Sequence, residues 1–131
     1  MSAEERLKGV RLLLVEDEAM VAMLLEDMLG DLGCDLVGPA GSVSEAMELA
    51  CADPSIAAAI LDVNVGGEPI YPVAEALRTR GVPFVFITGY GASEIDGRFT
   101  DALTVQKPFS MPMLCDTLAK ALAPSSTPQA V

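Results

Sequence analysis

The chain has 131 residues, 51% hydrophobic and 21% charged, a composition that excludes a disordered chain and predicts one globular domain. Eight basic residues against 19 acidic ones give a net charge of −11, which argues against direct binding to nucleic acid or an anionic membrane. The absence of histidine from the sequence excludes Ser-His-Asp triads, Cys-His pairs and most zinc sites.

The first half of the chain alternates short apolar runs with stretches of helical periodicity. Short branched apolar runs are typical of buried strands, whereas an apolar stripe every three or four residues is typical of a helix. A capping box at Ser42 and Glu45 marks the start of one helix. In chain order we predict a strand at Val10–Val15, a helix at Glu18–Leu32 with a core stripe of Val21, Leu24, Leu25, Met28 and Leu32, a strand at Leu36–Val37, and a helix from Ser42 to Ala52.

The second half continues this alternation. Proline near the start and glycine at the end bound the next helix. The predicted elements are a strand at Ala57–Val63, a helix at Pro72–Gly81, a strand at Pro83–Thr88, a short helix within Gly91–Phe99, a strand at Ala102–Val105 and a helix at Ser110–Leu122. We expect residues 1–8 to be an N-terminal extension, 9–122 the domain, and 123–131 a flexible tail.

Five strands alternating with five helices predict an α/β fold, a doubly wound five-stranded parallel sheet with helices on both faces. In such sheets, ligands bind beyond the carboxyl ends of the strands. The polar residues at these strand ends are therefore candidates for one site, and they are Glu16, Asp17, Asp62, Thr88, Gly89 and Lys107.

The three carboxylates among these residues call for a cation. Two unit charges about 4 Å apart repel by roughly 4 kcal/mol at an effective dielectric of about 20. Carboxylate oxygens suit a hard octahedral ion such as Mg²⁺. Lys107 offers a charge for a phosphate oxygen and Thr88 a hydroxyl donor. An aspartate such as Asp62 in this setting is a candidate nucleophile for phosphoryl transfer.

The cysteines and the N-terminal residues indicate the cellular compartment of the protein. Cys34, Cys51 and Cys115 lack metal-ligand spacing, so we expect buried, reduced thiols. The N-terminus MSAEERLKG is charged and no apolar stretch is long enough to span a bilayer. These features predict a cytoplasmic protein with no membrane contact.

Four motifs at successive strand ends, "VEDE", "LDVN", "ITG" and "QKPF", carry a family resemblance. Over Gly9–Leu122 the chain resembles the receiver domains of bacterial response regulators, in particular single-domain chemotaxis regulators. The resemblance implies a flavodoxin-like receiver fold with strand order 2-1-3-4-5. It also implies a stand-alone receiver in two-component signal transduction, rather than an enzyme acting on a separate substrate.

The resemblance also assigns roles to residues. It implies that Mg²⁺ is held by Glu16, Asp17, Asp62 and the backbone carbonyl of Asn64. Asp62 would be phosphorylated by a histidine kinase or a histidine phosphotransfer protein, with a further, unidentified protein downstream. Thr88 would move onto the phosphoryl group and Lys107 would pair with it. The Lys107–Pro108 bond would be cis.

Some positions depart from the family pattern. "PFVFITGYG" resembles the alphaproteobacterial single-domain subgroup with a "FATGUY" motif, but has Ile87 where alanine is usual. Most receivers carry an aromatic switch residue three positions before the lysine, where this chain has Thr104; Tyr90 is the expected substitute. "VNVGG" lacks the Met-Pro common after the phosphoacceptor, so that loop is expected to differ.

Partner docking is predicted at Met20 and Met23, which fall off the core stripe of the first helix, and at Phe109. Three alternatives to a phosphorylation switch stay open at this point. The protein could drain phosphate from a kinase, or serve as a degenerate receiver that only binds partners. It could also be a phosphatase of the haloacid-dehalogenase kind, although that chemistry needs a second acid where this chain has Asn64.

Overall fold

The structure is a computed structural model that describes residues 2–89 and 95–123. Its five long strands are β1 Arg11–Val15, β2 Asp35–Ala40, β3 Ala58–Asp62, β6 Phe84–Thr88 and β7 Leu103–Gln106, and two short ones, β4 Asn64–Val65 and β5 Glu68–Pro69, lie between β3 and β6 in sequence. The long strands form a parallel sheet in the order β2-β1-β3-β6-β7. Numbered without the short pair, this is the predicted order 2-1-3-4-5, and the predicted fold class is confirmed.

The helices cover both faces of the sheet. They are α1 Ala3–Leu7, α2 Ala19–Asp31, α3 Val43–Ala52, α4 Tyr71–Thr79 and α5 Met111–Leu122, with a 3₁₀ helix at Gly97–Phe99. Side chains of a strand alternate between faces. Leu12 and Leu14 therefore pack with α1, α2 and α5, whereas Leu13 and Val15 pack with α3 and α4. The two cores fix the register that brings the strand ends to one edge.

Most predicted boundaries lie within two residues of the observed ones. The exception is the second strand, which we predicted at Leu36–Val37 with Gly38-Pro39 stopping it, but which continues through both residues to Ala40. Gly38 permits this, because its φ is +100° and a Cβ there would lie 2.6 Å from the Leu14 carbonyl oxygen. Of the short helix predicted within 91–99, residues 90–94 lie outside the described part of the chain.

The N-terminal extension contains a helix that the sequence analysis did not predict. Ser2 caps α1: its hydroxyl oxygen accepts a hydrogen bond from the Glu5 N–H (3.1 Å), and the Glu5 carboxylate accepts one from the Ser2 N–H (2.9 Å). Leu7, at the end of α1, is fully buried. The helix packs against α5, so residues 3–7 belong to the packed domain.

Two predictions of burial were wrong. In α2, Leu24 is 46% exposed, because the helix turns the row Ala22, Leu25, Leu29 and Leu32 toward the sheet. Cys51 is exposed, whereas Cys115 is buried and Cys34 half-buried. Burial raises the pKa of the Cys34 thiol to about 11, which keeps that thiol protonated at neutral pH.

None of the described helices is both long and apolar enough to cross a bilayer.

Candidate functional site

The carboxyl edge of the sheet brings together the residues predicted from the strand ends. Glu16 follows β1, Asp62 ends β3, Thr88 ends β6 and Lys107 follows β7. Backbone hydrogen bonds extend the sheet to these positions: the Glu16 N–H donates to the Ala40 carbonyl (3.0 Å), and the Lys107 N–H to the Thr88 carbonyl (2.8 Å). The sheet itself therefore fixes where these side chains begin.

The Lys107 ammonium group lies among three carboxylates. Its Nζ is 2.9 Å from Glu18 Oε1, 3.3 Å from Glu16 Oε1 and 3.4 Å from Asp62 Oδ2. Burial lowers the pKa of Lys107, but the hydrogen bond to Glu18 and the charges of Asp62 and Glu16 outweigh it and raise the pKa overall. Lys107 is therefore a permanent cation beside the Asp62 carboxylate.

Glu16 is a buried carboxylate with one oxygen unsatisfied. Its Oε2 accepts a hydrogen bond from the Glu18 N–H (3.0 Å). Its Oε1 is buried without a hydrogen bond in the described part of the chain, since Lys107 at 3.3 Å approaches it as an ion pair only. Burial raises the pKa of Glu16 to about 7, with Asp62 adding to the rise and the Glu18 N–H and Lys107 opposing it.

The acidic cluster fits a hard divalent cation. One oxygen from each of Glu16, Asp17 and Asp62 lies within 4.8 Å of the others. With Mg–O distances of about 2.1 Å, adjacent ligand oxygens are about 3.0 Å apart and opposite ones about 4.2 Å, so the three side chains would rotate toward one another to bind one ion. Glu16 Oε1 has the Lys107 ammonium as an ion-pair partner but no hydrogen bond in the described part of the chain, so it keeps lone pairs for a cation. The carbonyl of Asn64 as a further ligand stays a prediction.

The loop after Asp62 forms a short hairpin. Strands β4 and β5 pair antiparallel as a hairpin around Gly66 and Gly67. The Gly66 N–H donates a hydrogen bond of 2.9 Å to Asp17 Oδ2. The sequence analysis did not find this contact; the Gly-Gly pair between short extended segments was the signal that could have indicated the hairpin.

The predicted switch residues are only partly described. Thr88 is buried at the end of β6, and Thr104 is half-buried on β7 with its hydroxyl 3.5 Å from the Ala102 carbonyl oxygen. Tyr90 lies outside the described residues. The Lys107–Pro108 bond is cis, as the resemblance implied.

The predicted docking residues lie on α2 and in the loop after Lys107. On α2, Met20 is 84% exposed and Met23 63% exposed. Phe109 is half-buried and lines an apolar groove of about 380 Å³ with Val21, Leu24, Lys107 and Pro108. Sequence analysis missed the role of Glu18, which it treated as a helix-start acid, although the run of three acids from 16 to 18 pointed to a shared cation.

The chain is similar to several proteins of known structure. No family model matches the chain. In solution structures, SdrG from Sphingomonas melonis Fr1 is 44% identical, with a TM-score of 0.78 over 94% of this chain and 100% of that one. The BeF3-activated conformation of SdrG from Pseudomonas melonis Fr1 is 44% identical, with a TM-score of 0.75 over 88% of this chain and 98% of that one. The REC domain of the Erythrobacter litoralis PhyR response regulator is 29% identical, with a TM-score of 0.79 over 95% of this chain and 98% of that one.

A curated relative shows the same similarity over part of its length. The phyllosphere-induced regulator PhyR of Methylorubrum extorquens is 31% identical over 117 residues, which are 87% of this chain and 44% of that protein. The chain spans about half the length of the curated relatives it matches.

Proposed function

The chain belongs to the receiver-domain family of response regulators, and from this premise we propose that it is a phosphorylation switch. Asp62 accepts a phosphoryl group from a histidine kinase or a histidine phosphotransfer protein, with Mg²⁺ bound, and the modified domain changes its protein partners in two-component signalling. The observation that carries this proposal is the Lys107 ammonium 3.4 Å from Asp62 Oδ2, beside the acidic cluster.

The transfer needs little covalent chemistry from the protein. An Asp62 carboxylate oxygen forms the new P–O bond while the N–P bond of the donor phosphohistidine breaks, and the imidazole leaves with the bonding electron pair and takes up a proton from water. Lys107 neutralises charge on the phosphoryl oxygens, and the sheet positions the nucleophile. When bound, Mg²⁺ would neutralise further charge, held by Glu16, Asp17 and Asp62. Apart from its own phosphorylation and dephosphorylation, we propose no enzymatic activity.

We propose that the conformational change on phosphorylation of Asp62 begins with movement of Thr88. A phosphoryl group adds about −1.5 to −2 charge at pH 7 and several hydrogen-bond acceptors next to the buried end of β6. Movement of Thr88 toward these acceptors would shift the segment that follows it, in which Tyr90 is the proposed reporter. A relative's BeF3-activated conformation, at 44% identity, supports a fluoride mimic of the phosphoryl group as a probe for this chain.

Docking of the phosphate donor is proposed on α2 and the loop after Lys107. Met20 and Met23 are exposed apolar anchors, and Phe109 lines the groove beside Lys107. A few apolar anchors with a polar rim are typical of protein interfaces. These residues would hold a donor so that its histidine reaches Asp62.

Phosphate transfer from candidate kinases of the source genome tests the proposal. Wild type and Asp62→Asn are compared with each kinase, in Mg²⁺ and in excess chelator. We expect labelling only of wild type and only with metal. Labelling of Asp62→Asn at the wild-type level would overturn the assignment of the phosphoacceptor.

A further inference from the structure

The hairpin after Asp62 has a turn that its two glycines permit. Gly66 has a φ of +59° and Gly67 a φ of +82°, the pair of positive values that a type I′ turn requires and that favours Asn-Gly or Gly-Gly. The flanking pairs are Asn64 with Pro69 and Val65 with Glu68. The turn therefore fixes the direction of the Gly66 N–H.

The base of this hairpin is anchored in the core next to Asp62. Val65 and Ile70 are fully buried. The Val63 N–H donates to the Ile87 carbonyl (3.1 Å), and the Ile70 N–H donates to the Val63 carbonyl (2.9 Å). The hairpin is thus tied to the sheet at the strand end that carries the phosphoacceptor.

The tip of the hairpin contacts a carboxylate of the acidic cluster. Asp17 is exposed at the edge of the site, and the Gly66 N–H donates a 2.9 Å hydrogen bond to its Oδ2 across 49 positions in sequence. Among residues 2–89 and 95–123, Gly66 is the one hydrogen-bond donor to the Asp17 side chain. A carboxylate has about four lone-pair sites, so this bond leaves Asp17 able to bind a cation.

We propose that the Gly66-Gly67 hairpin is a positioning element for Asp17, which it holds ready to bind Mg²⁺ with Glu16 and Asp62. Without the bond, the exposed carboxylate would sample other rotamers and would have to be ordered when the ion binds. Partners that orient a metal ligand typically contribute 10- to 100-fold in metal affinity. This inference rests on the proposed function, since it concerns the same metal site.

Two substitutions at one position contrast loss of both the donor and the turn with retention of both. Gly66→Pro removes the N–H and cannot adopt a positive φ. Gly66→Asn keeps the N–H and suits the left-handed conformation. Affinity for MgCl₂ is measured by NMR titration of backbone amides, and unfolding in urea with chelator gives the stability of the metal-free protein. We expect Gly66→Pro to weaken Mg²⁺ binding about tenfold and Gly66→Asn to bind as wild type.

Asp17→Asn completes a double-mutant cycle. If Gly66 acts through Asp17, adding Gly66→Pro to Asp17→Asn weakens Mg²⁺ binding no further. Should Gly66→Pro not fold, Gly66→Ala replaces it: the added Cβ has room, with Gly41 O at 3.8 Å, but the positive φ is strained. Its affinity should then fall a few-fold.

The outcomes distinguish this inference from the proposed function. Wild-type Mg²⁺ affinity in Gly66→Pro, or in Gly66→Ala where that variant is used, overturns the positioning role, as does loss of stability with unchanged affinity. Failure of wild type to bind Mg²⁺, or wild-type binding by Asp17→Asn, instead overturns the metal site itself.

Discussion

The Lys107 ammonium lies closer to Glu18, at 2.9 Å, than to Asp62, at 3.4 Å. Glu18 is the N-cap of α2, yet its side chain makes no capping hydrogen bond and turns to Lys107 instead. If Lys107 pairs with the phosphoryl group, as proposed, Glu18 competes for the Lys107 ammonium. Exposed ion pairs contribute about 0.2–1 kcal/mol, so we predict that Glu18→Gln speeds phosphorylation by acetyl phosphate about two- to fivefold.

The control for this prediction removes the same charge from the same helix. Asp27→Asn lies on α2, and Asp27 makes no ion pair in the described part of the chain. If Asp27→Asn speeds the reaction as much as Glu18→Gln does, the cause is net charge and not the contact with Lys107.

Glu16 predicts a pH dependence of stability in the metal-free protein. Its pKa of about 7 in the folded state lies above the ordinary value of 4.5, so the folded state binds more protons between these values. Its contribution to stability is complete below pH 4.5 and is lost as pH rises through 7. We predict that Glu16→Gln flattens this dependence and stabilises the protein at pH 8 by about 2 kcal/mol. Urea unfolding in chelator measures it, and an unchanged slope in the variant would contradict it.

The proposed docking surface should affect the rate of phosphorylation by a kinase but not the rate of phosphorylation by acetyl phosphate. Met20→Ala with Met23→Ala should slow transfer from the kinase about fivefold or more and leave the reaction with acetyl phosphate unchanged, because both methionines are exposed on α2 and neither belongs to the acidic cluster. Met113→Ala, which removes another exposed methionine from α5, is the matched control. Equal kinase rates for the double variant and wild type would place the docking surface elsewhere.

The switch prediction uses the chain's two tyrosines. Tyr71 is packed on Phe99, with ring centroids 5.4 Å apart, and its hydroxyl accepts a 2.9 Å hydrogen bond from the Asp96 N–H. We predict that the Tyr90 ring resonances shift on BeF3 addition more than those of Tyr71, with assignment by Tyr71→Phe. Unmoved Tyr90 resonances would count against its role, as would full signalling by Tyr90→Ala.

The N-terminal helix predicts a stability effect far from the site. Leu7 is fully buried against the core under α2 and α5, so Leu7→Ala should lower the free energy of unfolding by about 2–5 kcal/mol. Ser2→Ala, which removes only the cap, should cost about 1 kcal/mol. Urea unfolding distinguishes the two, and similar small losses in both would show that Leu7 contributes little packing energy.

The sheet and the main residues of the site could be predicted from the sequence because both depend on strong local patterns. Continuous apolar runs marked the buried strands, and Asp62 and Lys107 were identified by their places at strand ends, where the topology brings them together. The contact of Gly66 with Asp17 could not be predicted, because it joins loops 49 positions apart and depends on the direction of one N–H.

Short elements were predicted least well, for a related reason. The capping box of Ser2 and Glu5 was visible, but a five-residue helix is unstable alone. The helix forms here because Leu7 packs into the core. This packing depends on the folded domain and cannot be read from the local sequence. The burial of Leu24 was predicted wrongly because two neighbouring faces of α2 fit the helical period almost equally well. The pattern alone does not decide which of them packs on the sheet.

The contact between α1 and α5 has a consequence for synthesis on the ribosome. These helices lie near opposite ends of the chain, at Ala3–Leu7 and Met111–Leu122, yet they pack together. Because α1 precedes α5 in sequence, it leaves the exit tunnel earlier and has no complete partner surface until α5 has emerged. During elongation the nascent chain would present the Leu7 side chain to solvent or to chaperones, and the full burial of Leu7 would wait for α5.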